Sequence, residues 1–166
     1  MNEQAFHEVQ RLRQWHIRIV LALPPLALLF LTIWQVVLHH PWGSKPLSNG
    51  DLIFLTVLVS AVYLRLITVR LVTDVDRAEL SVGMRGLWRK RHVPLAAIRS
   101  AAPVRFDPAA EYGGYGIRSG PRGLAYIAEG NRAVQLELKD GSKLLIGSQR
   151  ADELAARIIE LRAGPL

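Results

Sequence analysis

Two long apolar runs decide most of what this chain can become. Ile19–Leu38 carries no charge and one strongly polar residue, Gln35, while Leu52–Val69 carries no charge until Arg65. About 20 apolar residues cross a hydrocarbon core as a helix, so both runs are predicted transmembrane helices, over 19–38 and 52–69. Pro24 and Pro25 fall in the first third of the first run and predict a kink, which membrane helices tolerate when neighbours satisfy the freed carbonyls. Arg65 stands near the end of the second run, where a long side chain carries its charge out to the interface. Neither run holds an acidic partner that would make Arg65 a transport residue. A cleaved signal peptide is not expected. The charged leader is long, and His39-His40-Pro41 follows the first run where small residues should stand.

Charge sets the orientation. Arg11, Arg13 and Arg18 precede the first span, Arg65 and Arg70 close the second, and the connecting loop 39–51 offers only Lys45. By the positive-inside rule, residues 1–18 and 70–166 lie in the cytoplasm and the loop lies outside. Trp15 then falls near the inner interface, with Trp34 and Trp42 near the outer one. The expectation is a multi-pass protein of the cytoplasmic (inner) membrane with both termini cytoplasmic and the lipid bilayer as its first partner. Composition agrees: the chain combines 50% hydrophobic residues with a net charge of +7, a mixture typical of segregated apolar and basic segments. The absence of cysteine excludes thiol nucleophiles, disulfides, Cys-ligated zinc and iron–sulfur clusters. The positive charge is spread, +4 in Leu71–Leu166 and +3 before it. No basic stripe interleaved with aromatics appears, so no nucleic-acid partner is expected.

Beyond the second run the periodicity becomes 2. Leu80, Val82 and Met84 alternate with polar or small residues, as do Val134, Leu136 and Leu138. Asp140-Gly141 before Lys143–Ile146 is a hairpin signal. Further strands are predicted over Leu71–Val75, Trp88–Val93, Ser100–Phe106 and Leu124–Ala128. Ala151–Arg162 reads as an amphipathic helix, with Leu154, Ile158 and Leu161 on one face and Asp152 and Glu153 in its first turn. Gly164-Pro165 ends it. About seven short strands and a final helix predict a strongly bent sheet or small barrel plugged by that helix, within an α+β membrane protein.

The chain also resembles a family of bacterial membrane proteins with two N-terminal spans and a C-terminal bacterial PH-like domain. The residues that carry the resemblance are Glu111–Arg118 (EYGGYGIR), Tyr126, Gly130-Asn131, Gln135-Leu136, Asp140-Gly141 and Ile146–Gln149, with Pro41-Trp42-Gly43 and Ser48-Asn49 in the loop. Tyr115 stands where Trp is expected, and Ala151 where a helix-starting Pro is common. The resemblance implies a PH-like barrel over 70–166 and no particular activity.

Two segments stand out as candidate sites. In Tyr112, Gly113, Gly114, Tyr115, Gly116 and Arg118, the glycines permit positive φ or a close approach. A dinucleotide loop requires a following helix, and Ile117 leads instead toward strand. A potassium-filter loop must enter the membrane between helices, and this one lies far beyond the last span. The remaining readings are a loop packing Tyr112 and Tyr115 over the open barrel end, or a surface for a protein partner or a second copy. Arg85, Arg89, Lys90 and Arg91, with His92, form a basic hairpin suited to anionic lipid headgroups. His7, His16, His39, His40 and His92 are too scattered for a metal site, and no catalytic motif occurs. No cofactor and no enzymatic activity are expected. The reading is a membrane-anchored binding or scaffold module, with an anionic-lipid or small-ligand sensor as the alternative.

Overall fold

The computed structural model describes residues 6–11, 15–87 and 89–163 and divides the chain into two compact units, Gln14–Thr68 and Met1–Arg13 with Val69–Leu166. Arg13, Trp88 and Gly164-Pro165, invoked above, lie outside the described residues, as does the side chain of His16.

The first unit is a helical hairpin. Helix α1 (Trp15–Thr32) passes through Pro24 and Pro25 and continues as a π-helical turn, Ile33–Val37. Helix α2 (Asn49–Ile67) starts three residues before the apolar run because Ser48 caps it. The Ser48 hydroxyl accepts the Asp51 N–H at 3.2 Å and donates to the Asp51 carboxylate at 2.7 Å, satisfying a donor that the helix cannot. Polar groups meet along the seam: Thr32 Oγ1 lies 2.7 Å from Thr56 Oγ1, and Gln35 Nε2 donates to Leu47 O at 2.7 Å and Asn49 Oδ1 at 3.0 Å. Residue 32 meets 56 and residue 35 meets 49, so the helices are antiparallel. The outward faces are apolar, with Leu23, Leu26 and Phe30 on α1 and Phe54, Val57 and Leu64 on α2 all exposed. An apolar face of this extent is foreign to a soluble monomer. Both helices are long and apolar enough to cross a membrane.

The second unit is mixed α+β. Strands β1 (Phe6–Arg11), β2 (Arg70–Val75), β3 (Glu79–Arg85) and β4 (Arg91–Pro94) form an antiparallel sheet in that order. Strands β5 (Ile98–Arg105), β6 (Gly116–Gly120), β7 (Gly123–Ile127), β8 (Arg132–Leu138) and β9 (Lys143–Gly147) form a second sheet in the order β5-β8-β9-β7-β6, antiparallel except for the parallel pair β7–β9. Asp140-Gly141 turns the chain between β8 and β9 as expected. A short helix, α3 (Pro108–Tyr112), and the final helix, α4 (Ala151–Ala163), complete the unit.

The inner face of the first sheet (Phe6, Leu71, Val75, Leu80, Val82, Met84) shares one core with Val134, Leu136, Leu144 and Ile146 of the second sheet and Leu154 and Ile158 of α4. Burying one such aliphatic side chain contributes about 1.5–3 kcal/mol.

Two expectations are corrected here. The N-terminal segment 1–18 is not separate from the domain placed at 70–166, because Phe6–Arg11 is the first strand of its sheet. The barrel also does not close: nine strands rather than about seven form two sheets, with β1, β4, β5 and β6 at their edges among the described residues.

Side chains rather than a backbone ladder join β1 to the end of β9. Glu8 accepts from Ser148 Oγ at 2.5 Å and from Gln149 N at 2.9 Å, and Gln10 Nε2 donates to Gly147 O at 2.8 Å. Arg150, whose guanidinium lies 4.8 Å from the Phe6 ring centroid, clamps the same strand. The Glu8 carboxylate therefore sits just ahead of α4, where a helix N-terminus favours an anion. Glu8→Ala orphans the Ser148 hydroxyl and the Gln149 N–H and is expected to cost roughly 2–3 kcal/mol. Thermal melts of the full chain in mild detergent check this, and an unchanged midpoint would refute the closure.

Candidate functional site

The segment singled out in the sequence lies on the face of the five-stranded sheet opposite the main core. Asp107 caps α3, accepting Ala109 N at 2.9 Å and Ala110 N at 3.0 Å, and Pro108 occupies the first turn, where its missing N–H is harmless. Glu111 reaches back to Asp107 N at 3.0 Å and pairs with Arg122 at 3.1 Å. The helix ends at Gly113 in the left-handed region, φ +66°.

Tyr112 is buried, not displayed. Its ring meets Phe106 edge-on at 6.0 Å, and the two pack with Ala125, Ile127, Ala133 and Leu145, with Tyr115 half-buried against the same cluster. Burial holds the Tyr112 hydroxyl above its ordinary pKa. These tyrosines thus cover a sheet face rather than a barrel end. Gly113, Gly114 and Gly116 all take positive φ, and a Cβ at Gly113 or Gly114 would meet nothing within 4 Å. They serve the turn of the chain and leave no crowded cradle. Gly120 is different, since a Cβ there would stand 2.6 Å from the Tyr112 ring, so the close packing of ring on β6 requires glycine. What the segment displays is Gly113, Arg118 and Ser119, beside the free edge of β6. Arg118 Nε donates to Tyr115 O at 3.1 Å.

The charges of the basic hairpin differ in their surroundings. Lys90 Nζ lies 2.5 Å from Asp74, and His92 lies 2.6 Å from Glu79. Burial alone would raise the Asp74 pKa, but hydrogen bonds from Lys90 and His7 outweigh it and hold the carboxyl below its ordinary range. Arg85 and Arg89 are exposed and Arg91 is half-buried.

Two further features carried no sequence signal. Asp74 gathers His7 at 2.5 Å, Lys90 and the Ser81 hydroxyl at 3.5 Å on the outer face of the first sheet. Ser81 faces the carboxylate rather than the imidazole, so the group lacks the nucleophile–base order of a catalytic triad. An open cleft of about 340 Å³ runs along β1, lined by Glu8, Val9, Gln10, Arg11, Glu129 and Gln149. Among the described residues, no group of His, Asp or Glu could hold a metal ion.

Comparison with models of known protein families and with curated proteins finds no match for this chain.

Proposed function

We propose that this protein is a membrane-anchored binding module: the helical hairpin fixes a PH-like domain at the cytoplasmic (inner) membrane, where the domain engages a protein partner or a second copy and catalyses nothing. The observation that carries this reading is the insertion of an apolar antiparallel hairpin between two paired strands, β1 and β2. The hairpin begins and ends at the same end of the helix pair, and both ends lead directly into one sheet. This favours a single compartment for the N-terminal strand and the rest of the domain. The arginines flanking the spans favour the cytoplasm. The surface that supports binding is the free edge of β6 with Arg118 and Ser119 beside Tyr115, since an unpaired edge accepts an added strand.

Crosslinking the tagged full chain in its native membrane, followed by purification and mass spectrometry, tests this. A defined homo-oligomer or a stoichiometric partner is expected, lost in Arg118→Glu with the thermal midpoint unchanged. A monomer that emerges alone, or a complex indifferent to Arg118→Glu and Tyr115→Ala alike, overturns it.

A further inference from the structure

Three arginines far apart in the sequence stand side by side in the first sheet. Arg11 of β1 is paired with Arg70 of β2, and Arg70 is paired with Arg85 of β3. Residues directly opposite in a ladder project to the same face, here the face of His7 and Asp74. Neighbouring strands lie about 4.8 Å apart, so the row spans roughly 10 Å. All three side chains are exposed, and among the described residues none takes an ion pair or a side-chain hydrogen bond. Like charges directly opposite one another oppose folding. The described acidic groups of this face do not pair with them. Asp74 stands four residues along β2 from Arg70, about 13 Å at strand rise, and already holds His7 and Lys90, while Glu79 is taken by His92.

The row is also tied to the ends of the hairpin. α2 ends at Ile67, so Arg70 is within about 11 Å of it along the chain, and α1 starts at Trp15, a few residues beyond Arg11. A chain that spans the bilayer brings its helix ends to the headgroup layer.

We infer that Arg11, Arg70 and Arg85 form a binding row for the phosphate of an anionic lipid headgroup, which neutralises a charge cluster that no described carboxylate pairs with. Guanidinium groups meet phosphate oxygens with paired N–H donors, and their planar fork suits two phosphate oxygens at once. This inference rests on the membrane reading above and replaces the hairpin Arg85–Arg91 as the lipid contact, retaining only Arg85. Each arginine near an anionic surface contributes about fivefold in affinity, equivalent to roughly 1 kcal/mol.

The test uses the full chain purified in neutral detergent, with thermal midpoints followed as lipid is added. Phosphatidylglycerol is expected to raise the midpoint and phosphatidylcholine to leave it, while inorganic phosphate at the same concentration has no effect. Arg70→Gln is expected to raise the midpoint without lipid, because it removes repulsion on both sides. It should also weaken the phosphatidylglycerol response about fivefold, and Arg11→Gln with Arg70→Gln should abolish it, whereas Arg89→Gln changes neither. An undiminished response in the double variant, or an equal response to inorganic phosphate, overturns the inference. Alkaline carbonate extraction of the same variants reports anchoring separately: retention in the membrane pellet with no lipid response defeats the arginine row and leaves the anchor standing.

Discussion

A chain lacking residues 1–13 is expected to lose its folded β unit, while one in which a short glycine-containing turn replaces residues 12–68 keeps it and becomes water-soluble. The first deletion removes β1, and with it Phe6 from the main core, a loss of about 3–5 kcal/mol by analogy with other buried phenylalanines. It also orphans Ser148 and the Gln149 N–H, worth another 2–3 kcal/mol or so, and bares the edge of β2. Domains have only about 5–15 kcal/mol to lose. The second change removes every exposed apolar residue of the hairpin but keeps Val69, which belongs to the core, and the Arg11–Arg70 pair is close enough for a short turn to join. Circular dichroism and urea melts of the two variants decide it. A cooperative unfolding transition in the deletion variant would show that β1 is dispensable.

The second large effect concerns Tyr112. Tyr112→Ala is expected to cost about 3–5 kcal/mol, because the ring fills the space between Phe106 and the backbone of Gly120 over the five-stranded sheet. Tyr115→Ala, from a half-buried site, should cost clearly less. A loss of partner binding in Tyr112→Ala would therefore report a damaged domain, and Arg118→Glu is the variant that tests the surface itself. Urea midpoints on the excised unit measure both, and equal midpoints for Tyr112→Ala and the parent would remove Tyr112 from the core.

The strands legible in the sequence are those whose buried face is apolar. β3 and β8 place Leu80, Val82, Met84 and Val134, Leu136, Leu138 on one side, and period 2 finds them at once. β1 buries Phe6, Glu8 and Gln10 and exposes Val9, so its pattern is nearly inverted and invisible to any hydropathy rule. The carboxylate is tolerated inside only because Ser148 and Gln149 donate to it, and those partners are distant in sequence. β6, Gly116–Gly120, buries little and offers no alternation. The barrel expectation failed for a related reason: a count of strands says nothing about which edges pair, and here the gap beside β1 is bridged by side chains. At the candidate site, Gly113, Gly114 and Gly116 adopt the positive φ that their sequence permits, but whether Tyr112 points into a sheet or out to a partner depends on Phe106 and Gly120 lying beneath it. The arginine row was present only in pieces, Arg11 and Arg70 as charges flanking the spans and Arg85 in the basic hairpin, since register alone brings residues 11, 70 and 85 together.

The interleaving of the two units also orders events during synthesis. β1 leaves the ribosome before β2, and the ladder between them cannot form until the whole hairpin and β2 have followed. Closing so long a loop is entropically costly for a free chain, whereas an antiparallel helix pair formed beforehand returns the chain to the end where the hairpin began and shortens the search of β2 for β1. Pairing of the two helices is therefore expected to precede the β1–β2 ladder, and the completed sheet then reports that the second helix has returned. In the membrane-anchored reading proposed above, a nascent chain whose second helix fails to return leaves Phe6–Arg11 across the bilayer from its partner strand, unfolded and open to proteolysis.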